Sequence, residues 1–175
     1  MKKNILVLGI LILLLLFFET QNKNTIEDAM GKANINVRQI LHQVESDKGI
    51  VVFYEVEEYP YSNSIGLVGK SFNKYKWIDG GGRDSFNVKE DLTCGCSNIG
   101  KSNEKGSPDL FQVAHGIVAN DAIAEVKVKL KGEEAKNGTI VETELGRIWY
   151  LFLDEGISYV PRIKGLDSDG EIVFE

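Results

Sequence analysis

Two cysteines, Cys94 and Cys96, have the spacing that most directly indicates chemistry. They are separated by one glycine and are the only thiols of the chain. In an oxidising compartment such a pair can close a small ring, which serves either as a structural link or as a redox-active dithiol. The usual redox motif has two residues between its cysteines and begins a helix, which lowers the pKa of the attacking thiol. Because no helical pattern follows Cys96, a structural disulfide or free thiols are favoured, and redox chemistry is the alternative.

Aromatic residues near an acidic segment form the second candidate, a binding surface. Tyr54, Tyr59 and Tyr61 surround three glutamates between positions 55 and 58, and Trp77 follows later in the chain. Exposed aromatic side chains anchor many protein interfaces. Paired carboxylates can act on sugars, but the sequence gives neither their separation nor their pKa values. We therefore expect a binding surface at Tyr54, Tyr59, Tyr61 and Trp77.

The remaining polar patterns predict no catalytic residue. His42 and His115 fall in predicted strands without a nucleophile motif, so a hydrolytic triad is not expected. Two histidines and two cysteines offer few ligands, and no metal site or cofactor is predicted. Gly80–Gly82, followed by Arg83, is better explained by a loop or bulge than by an anion site, because no helix start follows.

The charge balance limits the partners. The 175 residues include 20 Lys and Arg against 26 Asp and Glu, for a formal net charge of −6. This acidic balance argues against sequence-independent binding of nucleic acid, which needs a basic face. It also argues against electrostatic docking to anionic lipid.

The N-terminus has the pattern of an export signal. Lys2 and Lys3 precede an uninterrupted apolar or glycine run over residues 5–18. The run would span roughly 21 Å as a helix, which is short for a bilayer core of about 30 Å. A small-residue cleavage site is missing, so residues 1–20 are either a signal peptide or a retained membrane anchor. By the positive-inside rule, residues 21–175 lie outside the cell, whether anchored by a single pass or secreted.

The rest of the chain predicts an α+β fold that is mostly β. A capping-box pattern at Thr25 begins a short helix over 26–33, and an antiparallel meander completes an α+β lobe over 25–91. Residues 92–108, rich in Gly, Ser, Asn and Lys, are predicted to be a loop or linker. Residues 109–175 alternate as short strands and predict a small antiparallel sandwich-like lobe.

Strand patterns also predict which segments are central. Residues 50–54 and 148–153 are apolar on both faces, as expected for inner strands. Residues 124–131 alternate between apolar and charged, which predicts one buried and one solvated face. We expect Trp149 to be deeply buried, with Val126 and Val128 among its neighbours.

Several segments resemble small exported or membrane-anchored proteins of Bacillus-type bacteria whose function is unassigned. They are the lysine-led apolar start, Leu41-His42 before Gly49-Ile50-Val51-Val52-Phe53-Tyr54, Lys76-Trp77 before the glycines, His115-Gly116-Ile117-Val118 ahead of Ile123, Ile148-Trp149-Tyr150 and Gly165-Leu166-Asp167-Ser168-Asp169-Gly170. The resemblance implies export and an α+β fold, and it implies no catalytic residues. The expected function is that of a non-enzymatic cell-envelope protein that binds or supports a partner at the outer face of the membrane. The alternative is an exported thiol-redox or stress-related factor using Cys94 and Cys96.

Overall fold

The computed structural model describes residues 25–72, 74–102, 108–153 and 158–175. The predicted signal or anchor over residues 1–20 lies outside the described residues. One helix and eleven strands follow one another along the described part of the chain, with these bounds: α1 (Ile26–Lys32), β1 (Val37–Ser46), β2 (Gly49–Val56), β3 (Tyr59–Ser71), β4 (Lys74–Ser85), β5 (Gly95–Ser102), β6 (Pro108–Val118), β7 (Glu125–Lys129), β8 (Lys136–Thr143), β9 (Gly146–Leu153), β10 (Arg162–Leu166) and β11 (Ile172–Phe174).

The strands form two antiparallel sheets, which confirms the mostly-β α+β prediction. The first has the order β1-β2-β3-β4, and the second has the order β11-β10-β7-β8-β9-β6-β5. Strands β2 and β9 lie inside their sheets, as their two apolar faces predict. Side chains from both sheets share one buried apolar cluster, formed by Val51, Phe53, Ile65, Leu67, Ile99, Val113, Ile117, Ile148 and Tyr150. The sandwich-like packing therefore joins a sheet from each of the two predicted lobes, while the domain boundaries themselves stay a prediction.

The helix α1 covers the outer face of the first sheet, and its predicted cap is confirmed. The Thr25 side chain accepts a hydrogen bond from the Asp28 amide at 3.1 Å, and the Asp28 carboxylate accepts one from the Thr25 amide at 2.8 Å. This capping box satisfies backbone donors that a helix start leaves unpaired. Ile26 and Met30 then pack against the outward-facing residues of β2, among them Val52.

Two segments differ from the sequence prediction. Residues 92–108 contain the strand β5, which pairs with β6 along Gly95–Ser102, so this segment is not a loop throughout. The Gly- and Ser-rich composition of this segment did not predict a strand, because pairing with β6 rather than local propensity holds its backbone extended. The glycine triplet, for which a loop or bulge was predicted, lies within β4, which continues through it to Ser85.

Glycines let the first sheet accept a large ring. An ideal Cβ at Gly66 would lie 2.0 Å from Trp77, and one at Gly80 would lie 2.4 Å from it. The Trp77 indole therefore packs directly on the backbone of β3 and β4. At Gly82, where φ is +71°, the β3–β4 pairing slips, and β4 forms a bulge.

The second sheet buries Trp149 as predicted. Its side chain is 0% exposed and lies in a cluster that includes Val126 and Val128. The indole Nε1 donates a hydrogen bond to the Thr93 carbonyl at 2.8 Å, so the polar atom of the ring is satisfied. Within the described ranges, no helix has the length and apolar character to cross a membrane.

Candidate functional site

A serine, a histidine and an aspartate form a hydrogen-bonded chain between the two sheets. The Ser97 Oγ lies 2.7 Å from the His115 Nε2, and the His115 Nδ1 lies 2.7 Å from the Asp84 Oδ2. In this order an aspartate orients the imidazole while the other ring nitrogen can accept the serine proton. We call Ser97, His115 and Asp84 the relay.

The strand register explains how the relay forms. On adjacent strands β5 and β6, Gly95 pairs with His115 and Ser97 pairs with Val113. Ser97 and His115 are therefore diagonal neighbours on one face of the second sheet, the face that also carries Val113. Asp84 comes from the edge strand β4 of the first sheet, so its hydrogen bond to His115 links the two sheets.

The relay is covered by Gly82. Ser97 is 3% exposed and His115 is 2% exposed. An ideal Cβ at Gly82 would lie 2.1 Å from the Ser97 Oγ and 2.9 Å from the His115 Nε2, so only glycine fits here. Gly82 itself is exposed, which places the relay one residue beneath the surface. An acyl carbonyl that approached the Ser97 Oγ from this side would meet Gly82.

An unsatisfied amide lies beside the relay. Asn63 is directly opposite Asp84 in the β3–β4 pairing and is 0% exposed. Neither polar atom of its side chain has a hydrogen-bond partner among the described residues. A buried amide without a partner costs free energy, so this end of the sandwich concentrates polar groups that apolar packing alone would not select.

Sequence reasoning missed the relay because its members come from three separate strands. Asp84 and Ser97 carry no motif, and the only local signal was a histidine within the apolar run of β6. His42, the other histidine, packs instead between Phe53 and Tyr150, where burial lowers the pKa of its imidazole.

The predicted aromatic surface divides into two places. Tyr54 is buried on the helix-covered face of the first sheet, where its ring meets the half-buried Trp77 edge to face at 5.9 Å. Burial raises the pKa of Tyr54 to about 12. Tyr59 and Tyr61, at the start of β3, are 51% and 55% exposed. Only Tyr59 and Tyr61 of the four are therefore largely available to a partner.

Arg83 adds a cation to the exposed pair. Its guanidinium carbon lies 3.6 Å from the centre of the Tyr59 ring, a cation–π contact. The buried Glu55 carboxylate fixes the neighbouring backbone by accepting a hydrogen bond from the Tyr61 amide at 2.6 Å. We call Tyr59, Tyr61 and Arg83 the tyrosine–arginine surface. These residue types are enriched among the interface positions that carry most binding energy.

The two cysteines are unpaired in the structure. Both are half-buried and pack against the apolar cluster around Trp149. Burial, with smaller contributions from Cys96 and Asp84, raises the pKa of the Cys94 thiol from 9.0 to about 12. Burial also raises the pKa of Cys96. Because the thiolate is the reactive form, this environment lowers thiol reactivity, whereas redox sites raise it.

We expect Cys94 to be alkylated slowly. At pH 8 a thiol with a pKa of about 12 has far less thiolate than one with a pKa of 9.0. The greater nucleophilicity of the more basic thiolate offsets only part of that loss, so alkylation of Cys94 should be slower. The rate should rise steadily with pH up to about pH 12. Iodoacetamide labelling followed by mass spectrometry measures it, and the denatured chain is the control. Rapid labelling of native Cys94 at pH 8 would contradict this environment.

Compared with protein-family models, characterised proteins and solved structures, the chain matches none of them. No group of three or more His, Cys, Asp or Glu suited to a metal ion occurs among the residues that the structure describes.

Proposed function

We propose that this chain is a non-enzymatic exported protein of the cell envelope that binds or supports a protein partner at the outer face of the membrane. Residues 5–18 would anchor it and residues 21–175 would lie outside. The observation that carries the binding role is the tyrosine–arginine surface, with Tyr59 and Tyr61 more than half exposed and Arg83 stacked on Tyr59. Rigid aromatic rings beside a guanidinium give contact area and directed hydrogen bonds at a low entropic cost.

The strand ends hold this surface in one shape before any partner arrives. Glu55 is 2% exposed and accepts hydrogen bonds from the Tyr61 amide and, at 2.9 Å, from the Gln39 side chain. Its carboxylate also lies 3.8 Å from Arg38. Preorganisation lowers the entropy that binding would otherwise cost, which favours a recognition role for Tyr59 and Tyr61.

Cross-linking from defined positions tests this role. A photoreactive amino acid replacing Tyr61 in intact cells should capture a discrete partner, whereas the same residue replacing Tyr159, which is 40% exposed, should not. Arg83→Ala should weaken that capture about 30-fold, the factor that corresponds to a hot-spot loss of ~2 kcal/mol. Equal capture from both positions, or capture that Arg83→Ala leaves intact, would count against the surface.

Acyl transfer by Ser97 is a second candidate function, favoured by the relay alone. His115 would accept the Ser97 proton while the Oγ attacks an acyl carbonyl, and it would return that proton to the alcohol or amine that departs as its bond to the acyl carbon breaks. Water would then hydrolyse the acyl–serine ester and regenerate Ser97. The position of Gly82 argues against this chemistry, so we expect a fluorophosphonate probe to leave Ser97 unmodified. Stoichiometric labelling that is lost in both Ser97→Ala and His115→Gln would establish the enzymatic alternative.

The thiol-redox alternative also remains a proposal. Its support is the Cys94-Gly95-Cys96 spacing, and the raised pKa values of both thiols weigh against it. A Cys94→Ser, Cys96→Ser variant that folds normally but loses the cellular phenotype would favour this alternative over the binding role.

A further inference from the structure

Four lysines surround an open groove beside α1. The groove has a volume of about 820 Å³ and runs between the end of the helix and the β3–β4 hairpin. Lys32, Lys70, Lys74 and Lys76 line it and are exposed, and no acidic residue is among its lining residues. The Glu45 carboxylate, itself highly exposed, lies 3.6 Å from Lys70 and offsets one of the four positive charges. The lining lysines therefore leave a positive excess at the groove.

An aromatic side chain projects from the same hairpin. Phe72 follows Ser71 at the end of β3 and is 97% exposed, with a φ of +51° that is unusual for a bulky residue. Removing this apolar surface from water is favourable, so the ring offers binding energy to a partner that covers it. We call Lys32, Lys70, Phe72, Lys74 and Lys76 the basic tip.

The first described residue, Thr25, lies close to the groove. Ala29 lines the groove, and Thr25 lies one helical turn before it, about 6 Å along the helix axis. Residues 19–24 can span at most about 20 Å. An anchor over residues 5–18 would therefore hold the groove within reach of the lipid headgroups.

We propose that the basic tip docks on anionic lipid, with Phe72 inserted among the headgroups and the four lysines contacting lipid phosphates. This inference rests on the proposed anchoring of the chain. The formal net charge of −6 argued against lipid docking, but the attraction falls off within a Debye length and is set by the charges nearest the surface. The groove is lined by four lysines and by no acidic residue, so the charge of this part of the surface is positive although the net charge of the chain is negative.

A fluorescent probe at the tip tests the docking. The full chain, with Cys94→Ala and Cys96→Ala, carries an environment-sensitive label at Phe72→Cys and is reconstituted in lipid nanodiscs. The label should shift to shorter wavelength in discs containing phosphatidylglycerol but not in phosphatidylcholine discs. Replacing Lys70, Lys74 and Lys76 by Gln should lower the ratio of docked to undocked molecules about fivefold per lysine, and added salt should lower it further.

Tyr61→Cys is the matched control. Tyr61 is also an exposed aromatic residue of β3 with a positive φ, but it lies at the other end of the strand, so its label should not respond to lipid charge. A label at position 72 that shifts equally in both lipids, or that ignores the lysine changes, would overturn the docking and point to coverage of the groove by residues 1–24. If the full chain does not stay bound to phosphatidylcholine discs, the proposed membrane anchor over residues 5–18 is overturned instead. The same variants are then tested by flotation with phosphatidylglycerol vesicles, and absence of lysine-dependent flotation would overturn the docking.

Discussion

Trp149→Ala is expected to lower the free energy of unfolding by ~3–5 kcal/mol, the range for truncating a buried aromatic side chain. The indole is completely buried in the cluster on one face of the second sheet, and it approaches Gly116 and Gly138 so closely that a Cβ at either would lie within 2.8 Å of it. The surrounding structure relaxes only partly into a cavity of this kind, and the residual cavity adds to the cost. Such a loss is a large share of a typical stability of about 5–15 kcal/mol.

Denaturant titrations followed by circular dichroism measure this loss. Trp149→Phe is the matched control, because it keeps most of the apolar contact but leaves the Thr93 carbonyl without its indole donor. Trp149→Phe should lower the free energy of unfolding clearly less than Trp149→Ala does. Equal midpoints for wild type and Trp149→Ala would show that the second sheet is packed differently.

His115→Ala should cost a comparable ~3–5 kcal/mol, because it deletes a buried ring and leaves two polar groups without their partner, each at about 1–3 kcal/mol. The change removes the hydrogen bonds of both Asp84 and Ser97 and leaves these groups facing a cavity between the sheets. Because Asp84 belongs to one sheet and His115 to the other, the variant should also weaken the contact of β4 with the second sheet. Hydrogen exchange of β4 amides provides that second measurement.

Two conservative variants separate the halves of the relay. In His115→Gln the amide can still reach Ser97, and in His115→Asn it can still reach Asp84, so each should recover part of the loss. If His115→Ala cost less than about 1 kcal/mol, the relay would not be a structural link between the sheets, and its order of residues would need a catalytic explanation.

Periodicity predicted the regular parts of the fold. Val126 and Val128 alternate with lysines and form a strand with one buried face, and the double-sided apolar run of β9 lies inside its sheet. The capping box at Thr25 could be predicted from the sequence because all its atoms belong to four consecutive residues. Local rules were sufficient wherever the determinants of the structure were local.

Other parts depended on contacts between distant segments. The strand β5 has a composition typical of loops and is extended because it pairs with β6. The glycines at positions 80 and 82, for which the sequence predicted a loop or bulge, make room inside β4 for Trp77 and Ser97. Both are tertiary requirements that no window of neighbouring residues reveals.

In the candidate sites, too, residue types could be predicted from the sequence, whereas their exposure and contacts depend on distant segments. Exposure separated Tyr59 and Tyr61 from Tyr54, although all three carry the same side chain near the same turn. The relay needed strand order and register, since Asp84 and His115 belong to different sheets. The basic tip needed the position of α1, which brings Lys32 beside the β3–β4 hairpin.

Labelling of intact cells with a membrane-impermeant amine reagent tests the proposed function most directly. Mass spectrometry of the membrane fraction should find full-length chain modified at exposed lysines remote from the basic tip, such as Lys89 and Lys131, but unmodified at Lys2 and Lys3 on the cytoplasmic side. All four should be modified after lysis. Lys89 and Lys131 that become labelled only after lysis would contradict an envelope protein whose residues 21–175 lie outside the cell.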